Sequence, residues 1–272
     1  PLDTRVLIDG YPDSDDISTD HRILYYDIEV EVTDGFPEPA KADNKITSIA
    51  FQTSHDGKSY VYILGDRKDE QKKGALVKFF KNEMDLLQEF LRFWIDLKPT
   101  IISGWNIDQF DTPYLYNRIS KVFNEDFANA LSPIQQVRYN QNKKKYRIAG
   151  VSSLDYIELY RKFTYVQRSS YRLDVIGQIE VNMGKVEYEG TLDQLLEKDI
   201  DKFIEYNLVD VKIVVALEKK LKLIDLAQGV AHLGRIPYEE VYFSSRYIEG
   251  AMLTYLRKLN LVAPSKRHDA SY

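Results

Sequence analysis

Length, composition and charge describe an ordinary globular chain and exclude several kinds of site. Its 272 residues are 44% hydrophobic, which is ample for the core of one large domain or two modest ones. The formal net charge of −5 argues against a free-standing, non-specific polyanion binder, because phosphate contacts need clustered lysine and arginine. The absence of cysteine excludes disulfides, thiolate zinc sites and cysteine nucleophiles.

Residues 1–22 are acidic and rich in turn formers, which indicates a linker or the trailing end of a missing element. The chain begins at Pro1 rather than at an initiator methionine, which suggests a processed chain or an excised piece of a longer one. Neither a signal peptide nor an apolar run long enough to span a bilayer occurs, so we expect a soluble protein.

Three strand patterns follow, RILYYDIEV, ITSIAFQTS and SYVYILGD, and the turn-like HDGK joins the second to the third. A helical pattern comes next in NEMDLLQEFLRFWIDLK, where an asparagine is placed to cap the start, and it leads into the short apolar strand of PTIISGWN. A strand reached through a helix is usually parallel to its predecessor. This order therefore predicts an α/β fold with a mixed central sheet flanked by helices.

The second half of the chain predicts a hairpin followed by helices. VRYNQNKKKYRIAGVS reads as two strands around a basic turn, which indicates a projecting hairpin rather than core. Helical periodicity appears in YRLDVIGQIE and again from TLDQLLEKDI to LAQGVAHL. The second of these segments is too long for one globular helix, so we expect it to break into two or three.

Two carboxylates lie two positions apart in YYDIEV. Side chains of a strand alternate between its faces, so Asp27 and Glu29 point the same way. Two like charges side by side repel each other unless a cation lies between them, which favours a metal ion. Taken alone, the pair fits an exposed edge strand with a solvated acidic face better than it fits a metal site.

Two further pairs combine a carboxylate with a polar neighbour. Asn106 and Asp111 follow the strand of PTIISGWN, at the end of the sheet where α/β proteins tend to build their sites. Tyr206 and Asp210 are four apart in a helical pattern and so share one face. Taken singly, Asp111 before Thr-Pro is compatible with a helix cap, and the Tyr/Asp pair with a surface hydrogen bond.

The order of these pieces is more informative than any one of them. Asp-x-Glu on a first strand, Asn-x₄-Asp after a later strand and Tyr-x₃-Asp on a helix form the pattern of the DEDD exonucleases. Two divalent ions about 3.5 to 4 Å apart, held by carboxylates, activate water for phosphodiester cleavage and stabilise the leaving oxygen. A tyrosine in place of a catalytic histidine is a donor at neutral pH, so Tyr206 is predicted to orient the water, which is the DEDDy pattern.

The surrounding sequence resembles the 3′→5′ exonuclease domain of family B DNA polymerases, in particular the T-even bacteriophage type. The matching phrases run from about residue 24 to 215 and are DIEV, DGFPEP, GWNIDQFDTPYLYNRI, LSP, LDYIELYRKF, SYRLDVI, VNMGKVEYEG and YNLVDV. This resemblance implies an RNase H-like exonuclease fold with an inserted β-hairpin. It also implies proofreading hydrolysis of the 3′-terminal phosphodiester of single-stranded or frayed DNA, with release of nucleoside monophosphates.

The same resemblance implies a role for each site residue. The metal ligands for two Mg²⁺ or Mn²⁺ ions would be Asp27, Glu29, Asp111 and Asp210, with Tyr206 positioning the water. Lys185 would lie near the scissile phosphate, unless it is a solvated surface lysine. Phe36 would contact the unpaired strand, and Asn106 and Phe110 would line its path, although a Phe110 that only packs is the alternative. The basic turn at residues 143–145 matches the position of a family hairpin that parts primer from template, and it is shorter.

The resemblance also divides the chain and implies partners. Residues 1–22 would be a linker or a remnant of an N-terminal domain, 23–222 the exonuclease domain, and 223–272 a helical tail from the N-terminal and palm region. Palm, fingers and thumb are absent, so the chain is not expected to polymerise. Expected partners are a DNA 3′ end, the remainder of the polymerase and, through the missing C-terminus, a sliding clamp, in the cytoplasm of a host cell if the source is viral.

The tail and the function leave further expectations open. Apolar tail positions are expected to be partly exposed or wrapped on the exonuclease body, namely Ile248, Met252, Leu253 and Leu256. Two other functions remain possible for the same acids. One is a DEDDy exoribonuclease, which would need contacts to the 2′-hydroxyl. The other is a non-catalytic scaffold that binds DNA or a clamp.

Overall fold

The computed structural model describes residues 17, 20–33 and 35–264. Most of the predicted linker at residues 1–22 lies outside the described part. The strands are β1 (Ile23–Val30), β2 (Ile46–Thr53), β3 (Ser59–Leu64), β4 (Glu70–Lys72), β5 (Ala75–Phe80), β6 (Ile101–Ser103), β7 (Val137–Asn140), β8 (Lys145–Ile148) and β9 (Ser152–Ser153). Within the described residues, seven of them form a central sheet in the order β4-β5-β3-β2-β1-β6-β9, and β7 and β8 form a separate antiparallel hairpin.

The sheet is mixed, as predicted. β1 pairs antiparallel with β2 on one side and parallel with β6 on the other. β5 runs parallel to β3, and β9 runs parallel to β6. The prediction of a mixed α/β sheet with an inserted hairpin is therefore confirmed, whereas β4 and β5 were not predicted.

Helices cover both faces of the sheet. The helices are α1 (Glu83–Leu97), α2 (Asp111–Val122), α3 (Glu125–Asn129), α4 (Tyr156–Phe163), α5 (Leu173–Val181), α6 (Leu192–Lys198), α7 (Ile200–Leu221), α8 (Leu223–Gly234) and α9 (Ser244–Lys258). One face of the sheet packs against α4 to α8, and the opposite face packs against α1 to α3. Among the described residues, none of the helices combines the length and the apolar character needed to cross a bilayer.

Helix boundaries follow local signals in the sequence. Asn82 accepts a hydrogen bond from the backbone N–H of Asp85 and so caps α1, as predicted. Met84 is 52% exposed, and the buried face of α1 is formed mainly by Leu86, Leu87, Phe90, Leu91 and Trp94. The long helical pattern breaks into α6, α7 and α8, at Asp199 and at Lys222, which adopts the left-handed conformation.

Alternation along β1 directs its polar residues to one face. Leu24, Tyr26 and Ile28 point into the core shared with α1 and α2, whereas Tyr25 points into the core shared with α7 and α8. Asp27 and Glu29 have the parity of Tyr25, so they face α7. Because α7 packs against β1 and β2, the acidic side chains of the strand lie beneath this helix.

Gly104, which follows β6, permits a close approach between this segment and β1. A Cβ at this position would lie 2.4 Å from Ile107 Cγ2 and 2.6 Å from the carbonyl oxygen of Tyr26. We expect Gly104→Ala to lower the free energy of unfolding by about 1–3 kcal/mol, because the loop or the strand must shift to admit the methyl group. Urea denaturation measures the change.

Gly229, inside α8, is the matched control for this substitution. A Cβ there meets nothing within 4 Å, so Gly229→Ala adds a methyl group without a clash. It is expected to leave stability unchanged or to raise it by up to about 1 kcal/mol, since alanine is the better helix former. Equal losses in the two variants would contradict a specific steric demand at Gly104.

Candidate active site

Carboxylates from β1 and α7 meet on one face of the sheet. Asp27 and Glu29 lie on β1, and Asp210 lies on α7, the helix that packs against this strand. Each of the three offers an oxygen atom, and these atoms lie within 4.8 Å of one another. Residues that are about 180 positions apart in the chain are thus brought to one point by the packing of α7 on β1.

Asp111 reaches the same point from α2. It is the first residue of that helix, is 3% exposed, and its Oδ1 accepts a hydrogen bond of 3.0 Å from the backbone N–H of Ile28. Ile28 lies between Asp27 and Glu29, so this bond fixes Asp111 beside the acidic strand. Asp111 is not among the three residues whose oxygens share the 4.8 Å limit, and it forms the flank of the cluster.

The four carboxyl groups have raised pKa values. Burial raises the pKa of Asp27 well above its ordinary value, and the charges of Asp111, Glu29 and Asp210 add to the effect. Burial and the charge of Asp210 raise the pKa of Glu29 to about 8. Burial raises the pKa of Asp111 to about 7, and it also raises that of Asp210. Bringing these groups together without a cation therefore costs free energy.

This electrostatic cost predicts how stability depends on pH in the metal-free protein. The pKa of Glu29 is about 8 in the folded state against an ordinary value of 4.5, so between these pH values the folded state binds more protons than the unfolded state. Stability is expected to fall as pH rises through that window, by at most about 1.4 kcal/mol per pH unit for this group. Urea denaturation in chelator at several pH values measures the slope.

Glu29→Gln isolates the contribution of this residue to the slope. Glutamine does not titrate, so the variant should lose stability less steeply than the parent between about pH 5 and 8. Parallel stability curves for the two proteins would contradict the raised pKa of Glu29. Excess Mg²⁺ should flatten the curve of the parent, because a cation favours the ionised carboxylates.

Lys185 and Tyr206 extend the cluster on its α7 side. The Lys185 ammonium lies 3.1 Å from Asp210 Oδ2 and donates to the Tyr206 hydroxyl at 3.3 Å. Burial alone would lower the pKa of Lys185, but the charge of Asp210 and the contacts with both partners together raise it above its ordinary value. Burial and the charges of Glu29 and Asp210 raise the pKa of Tyr206, so its phenol stays protonated at neutral pH.

The donor set fits a hard divalent cation. It consists of carboxylate oxygens, the ligands that Mg²⁺ and Mn²⁺ prefer. Asp210 Oδ1 is buried and has no hydrogen-bond partner among the described residues, although an unpaired buried oxygen is costly. Asp210 Oδ1 lies beside the carboxylates of Asp27 and Glu29, so it is available to coordinate a metal ion.

Aromatic side chains lie at the rim next to Asp111. Phe36 is 79% exposed, and its ring centroid is 5.4 Å from that of Phe110, which is in turn 5.6 Å from Tyr114. Phe110 is half-buried, so it is not a purely internal residue. Asn106 begins the loop that ends at Phe110 and adopts a left-handed backbone with φ of 69°. The positions predicted for strand contact thus share one edge of the site.

Comparison with known proteins identifies the family. The sequence profile described as DNA polymerase family B, exonuclease domain, matches residues 6–176. The chain belongs to this family. The chain is 33% identical to the DNA-directed DNA polymerase of Escherichia phage RB69 over 93% of its length, and 31% identical to that of Enterobacteria phage T4 over 90%.

DNA polymerase 1 of Sulfurisphaera ohwakuensis is also 31% identical, but over a smaller part of the chain, 70%, and the match covers 22% of that polymerase. The chain spans about a third of the two phage polymerases, 32% and 30% respectively. The predicted family, a T-even-type family B exonuclease domain, is confirmed. The profile match contains Asp27, Glu29 and Asp111, whereas Tyr206 and Asp210 join them through the packing of α7.

The basic hairpin of this exonuclease domain is tied to its surroundings. Lys143 pairs with Glu240 at 2.9 Å and lies over the ring of Phe243, and Lys145 pairs with the buried Asp108 at 2.7 Å. The expectation of a purely projecting hairpin is wrong at its base, because Ile148 is only 5% exposed and belongs to the core. Neighbouring acids thus compensate much of the positive charge predicted for the turn.

Several residues that shape the domain's site were missed by sequence reasoning. Asn207 is fully buried, and its side chain joins Ser48 of β2 to α7, which sets the rotation of the helix that carries Tyr206 and Asp210. Tyr188 packs edge-on against Tyr206 with 5.3 Å between ring centroids. Asn207 directly follows Tyr206 in the sequence, but neither its burial nor its partner Ser48 can be read from a local pattern. The segment around Tyr188 shows no periodic pattern either.

Proposed function

We propose that this chain is a 3′→5′ exodeoxyribonuclease that removes nucleotides from single-stranded or frayed DNA ends and releases nucleoside monophosphates. The observation that carries the proposal is the convergence of Asp27, Glu29 and Asp210, flanked by Asp111, in an exonuclease domain of family B polymerases. A cluster of carboxylates with raised pKa values gains most from binding cations, and phosphodiester hydrolysis is the reaction that such cations serve.

Asp27, Glu29, Asp111 and Asp210 are proposed to hold two Mg²⁺ or Mn²⁺ ions. Bound ions would lower the pKa of the attacking water and stabilise charge on the leaving oxygen. The part played by the chain is to keep four carboxylates in place before the ions arrive. The hydrogen bond from the Ile28 backbone to Asp111 and the rigid pairing of β1 with β2 and β6 support that part.

Tyr206 and Lys185 are proposed to act on the water and on the phosphate. The Tyr206 hydroxyl keeps its proton at neutral pH, so it can donate to the attacking water and orient it. The Lys185 ammonium stays charged and lies beside Asp210, where it can attract a phosphate oxygen. Phe36 and Phe110 are proposed to stack on bases of the strand, since stacking tolerates every base.

Removing the Tyr206 hydroxyl tests its role separately from metal binding. We expect Tyr206→Phe to slow cleavage on the order of 10²-fold, because the water loses its orienting donor. Mn²⁺ affinity measured by calorimetry should stay unchanged, since Asp27, Glu29 and Asp210 remain. Tyr188→Phe is the matched control, because Tyr188 contacts Tyr206 through its ring, and it should keep nearly full activity.

Degradation of a single-stranded oligonucleotide tests the proposed function. A DNA strand labelled at its 5′ end and incubated with Mg²⁺ should shorten stepwise from the 3′ end, and the same strand labelled at the 3′ end should release labelled mononucleotide at once. A matched RNA strand should be cut more slowly; faster cutting of RNA would favour an exoribonuclease. Intact strands at ample enzyme, together with no calorimetric metal binding, would overturn the proposal and favour a scaffold.

The C-terminal helix supports a proposal about partners. Within the described residues α9 buries none of its side chains, and Ile248, Met252 and Leu253 are each about half exposed. The chain spans about a third of its phage relatives, so we propose that residues 223–272 pack against the remainder of a polymerase. Residues 23–222 would form the exonuclease domain, a sliding clamp would bind outside this chain, and the setting would be the cytoplasm of a host cell.

A further inference from the structure

One buried carboxylate holds the loop that leads into the site. Residues 104–110 connect β6 to α2 and carry Asn106 and Phe110. The backbone N–H of Asn106 donates to Asp155 Oδ1 at 2.9 Å, and that of Asp108 donates to Asp155 Oδ2 at 3.0 Å. Asp155 is 1% exposed and lies 49 residues beyond Asn106 in the chain, two positions after the end of β9.

Capping a helix explains only part of this arrangement. Asp155 precedes α4, and its Oδ1 also accepts from the N–H of Ile157 at 3.2 Å, an ordinary N-cap contact. The bonds to Asn106 and Asp108 are long-range and add nothing to α4. Asn82, the cap of α1, accepts only from its own first turn among the bonds of the described residues. The second function of Asp155 must therefore concern the loop.

The loop conformation needs support from outside. Asn106 has a left-handed backbone with φ of 69°, which asparagine adopts more readily than most residues, and hydrogen bonds to the neighbouring backbone hold it there. Its carbonyl oxygen accepts from the N–H groups of Gln109 and Phe110, each at 3.2 Å. The carbonyl of Ile107 accepts from Thr112 in the first turn of α2. The backbone at Asn106 thus sets where Phe110 and Asp111 lie.

We propose that Asp155 is a positioning residue of the nuclease site. Its carboxylate fixes the backbone of Asn106 and Asp108, and thereby directs the Asn106 side chain to the DNA strand and sets the first turn of α2. The inference rests on the proposed function, because it takes Asn106 as a residue that contacts the strand. Asp108 reinforces the same loop through Lys145 at 2.7 Å and the Ser153 hydroxyl at 2.6 Å.

Asp155→Ser separates positioning from capping. Serine is an effective N-cap, so α4 keeps its first turn, but its single hydroxyl is too short to reach both loop amides. The expected result is a KM for single-stranded DNA raised at least tenfold, with a smaller change in kcat, and a thermal midpoint lowered by the loss of the two loop bonds. Asn82→Ser, the same kind of cap exchange at α1, should leave KM unchanged. Should Asp155→Ser fail to fold, Asp155→Asn replaces it. Asparagine has the same shape but only one acceptor oxygen, so its NH2 group faces one of the two loop N–H groups and that hydrogen bond is lost.

A double-mutant cycle with Asn106→Ala tests the route of the effect. If Asp155 acts through Asn106, Asp155→Ser should raise KM less than threefold in the Asn106→Ala background. Full additivity of the two substitutions, or a lower thermal midpoint with an unchanged KM, would overturn the inference.

Amide NMR signals test the inference without any activity. In Asp155→Ser, signals of residues 104–110 should shift, while those of α4 beyond its first turn stay in place. Unchanged loop signals overturn the inference even if the parent degrades DNA. If instead the loop signals shift in Asp155→Ser but the parent protein degrades no DNA, Asp155 still positions the loop, and it is the proposed exonuclease function that is overturned.

Discussion

Asp27→Asn is expected to reduce exonuclease activity on the order of 10³-fold or more, because the proposed metal site loses one of its carboxylates. The same substitution should make the metal-free protein more stable, by about 1–2 kcal/mol. Burial and the charges of Asp111 and Glu29 raise the pKa of Asp27 well above its ordinary value, so this carboxyl destabilises the folded state without a cation. Asparagine has the same shape and no charge to desolvate.

Two measurements on one variant check both effects. Single-turnover degradation of a labelled strand with Mg²⁺ gives the activity, and urea denaturation in chelator gives the stability. Asp201→Asn is the matched control, since Asp201 is an exposed aspartate of α7 whose ion pair with Lys72 lies at the surface. It should alter neither quantity appreciably. An Asp27→Asn variant that is less stable than the parent in chelator would contradict the electrostatic description of the cluster.

Local patterns predicted the parts of the fold whose partners are near in sequence. Alternation in β1 and the cap at Asn82 depend only on neighbouring residues, and both are present in the structure. β4 and β5 depend on distant partners. β5 pairs in parallel with β3, and β4 is a three-residue strand at the edge of the sheet. Such pairings are decided by tertiary packing rather than by propensity.

The same distinction applies to the site. Parity along β1 and the helical spacing of Tyr206 and Asp210 predicted which side chains face each other, and the packing of α7 on β1 brings them together. Asp155 and Asn207 were not predicted, because a buried polar side chain acts through whichever donors the fold brings to it. Their partners are 49 and 159 residues away, beyond the reach of any local pattern.

A different buried pair carries the largest expected effect on stability. Arg118 of α2 forms a two-pronged ion pair with Glu83 of α1, through Nε to Oε1 at 2.8 Å and Nη2 to Oε2 at 2.6 Å. Its Nη1 also donates to the carbonyl oxygens of Ala42 and Asp43, in the segment that joins Phe36 to β2. Both side chains of the pair are at most 10% exposed. One guanidinium therefore ties two helices to the segment that follows Phe36.

Arg118→Met is expected to lower the free energy of unfolding by about 3–5 kcal/mol, because it leaves the Glu83 carboxylate buried without its partner. Urea denaturation at neutral pH measures the loss. Arg92→Met is the matched control, since Arg92 forms an exposed pair with Glu89 on α1 and its loss should cost less than about 1 kcal/mol. Similar losses for the two substitutions would show that burial of the Arg118 pair contributes nothing.

Glu83→Gln provides a test by change of sign. In the parent it should destabilise, because the neutral amide gives up the charged pair, although its oxygen can still accept from the Ile46 backbone, as Glu83 Oε1 does at 2.8 Å. In the Arg118→Met background the same substitution should stabilise by about 1–2 kcal/mol, because it removes an unpaired buried charge. The opposite signs follow only if the two side chains compensate each other's charge inside the protein. A Glu83→Gln that destabilises equally in both backgrounds would show that the carboxylate is stabilised by other groups.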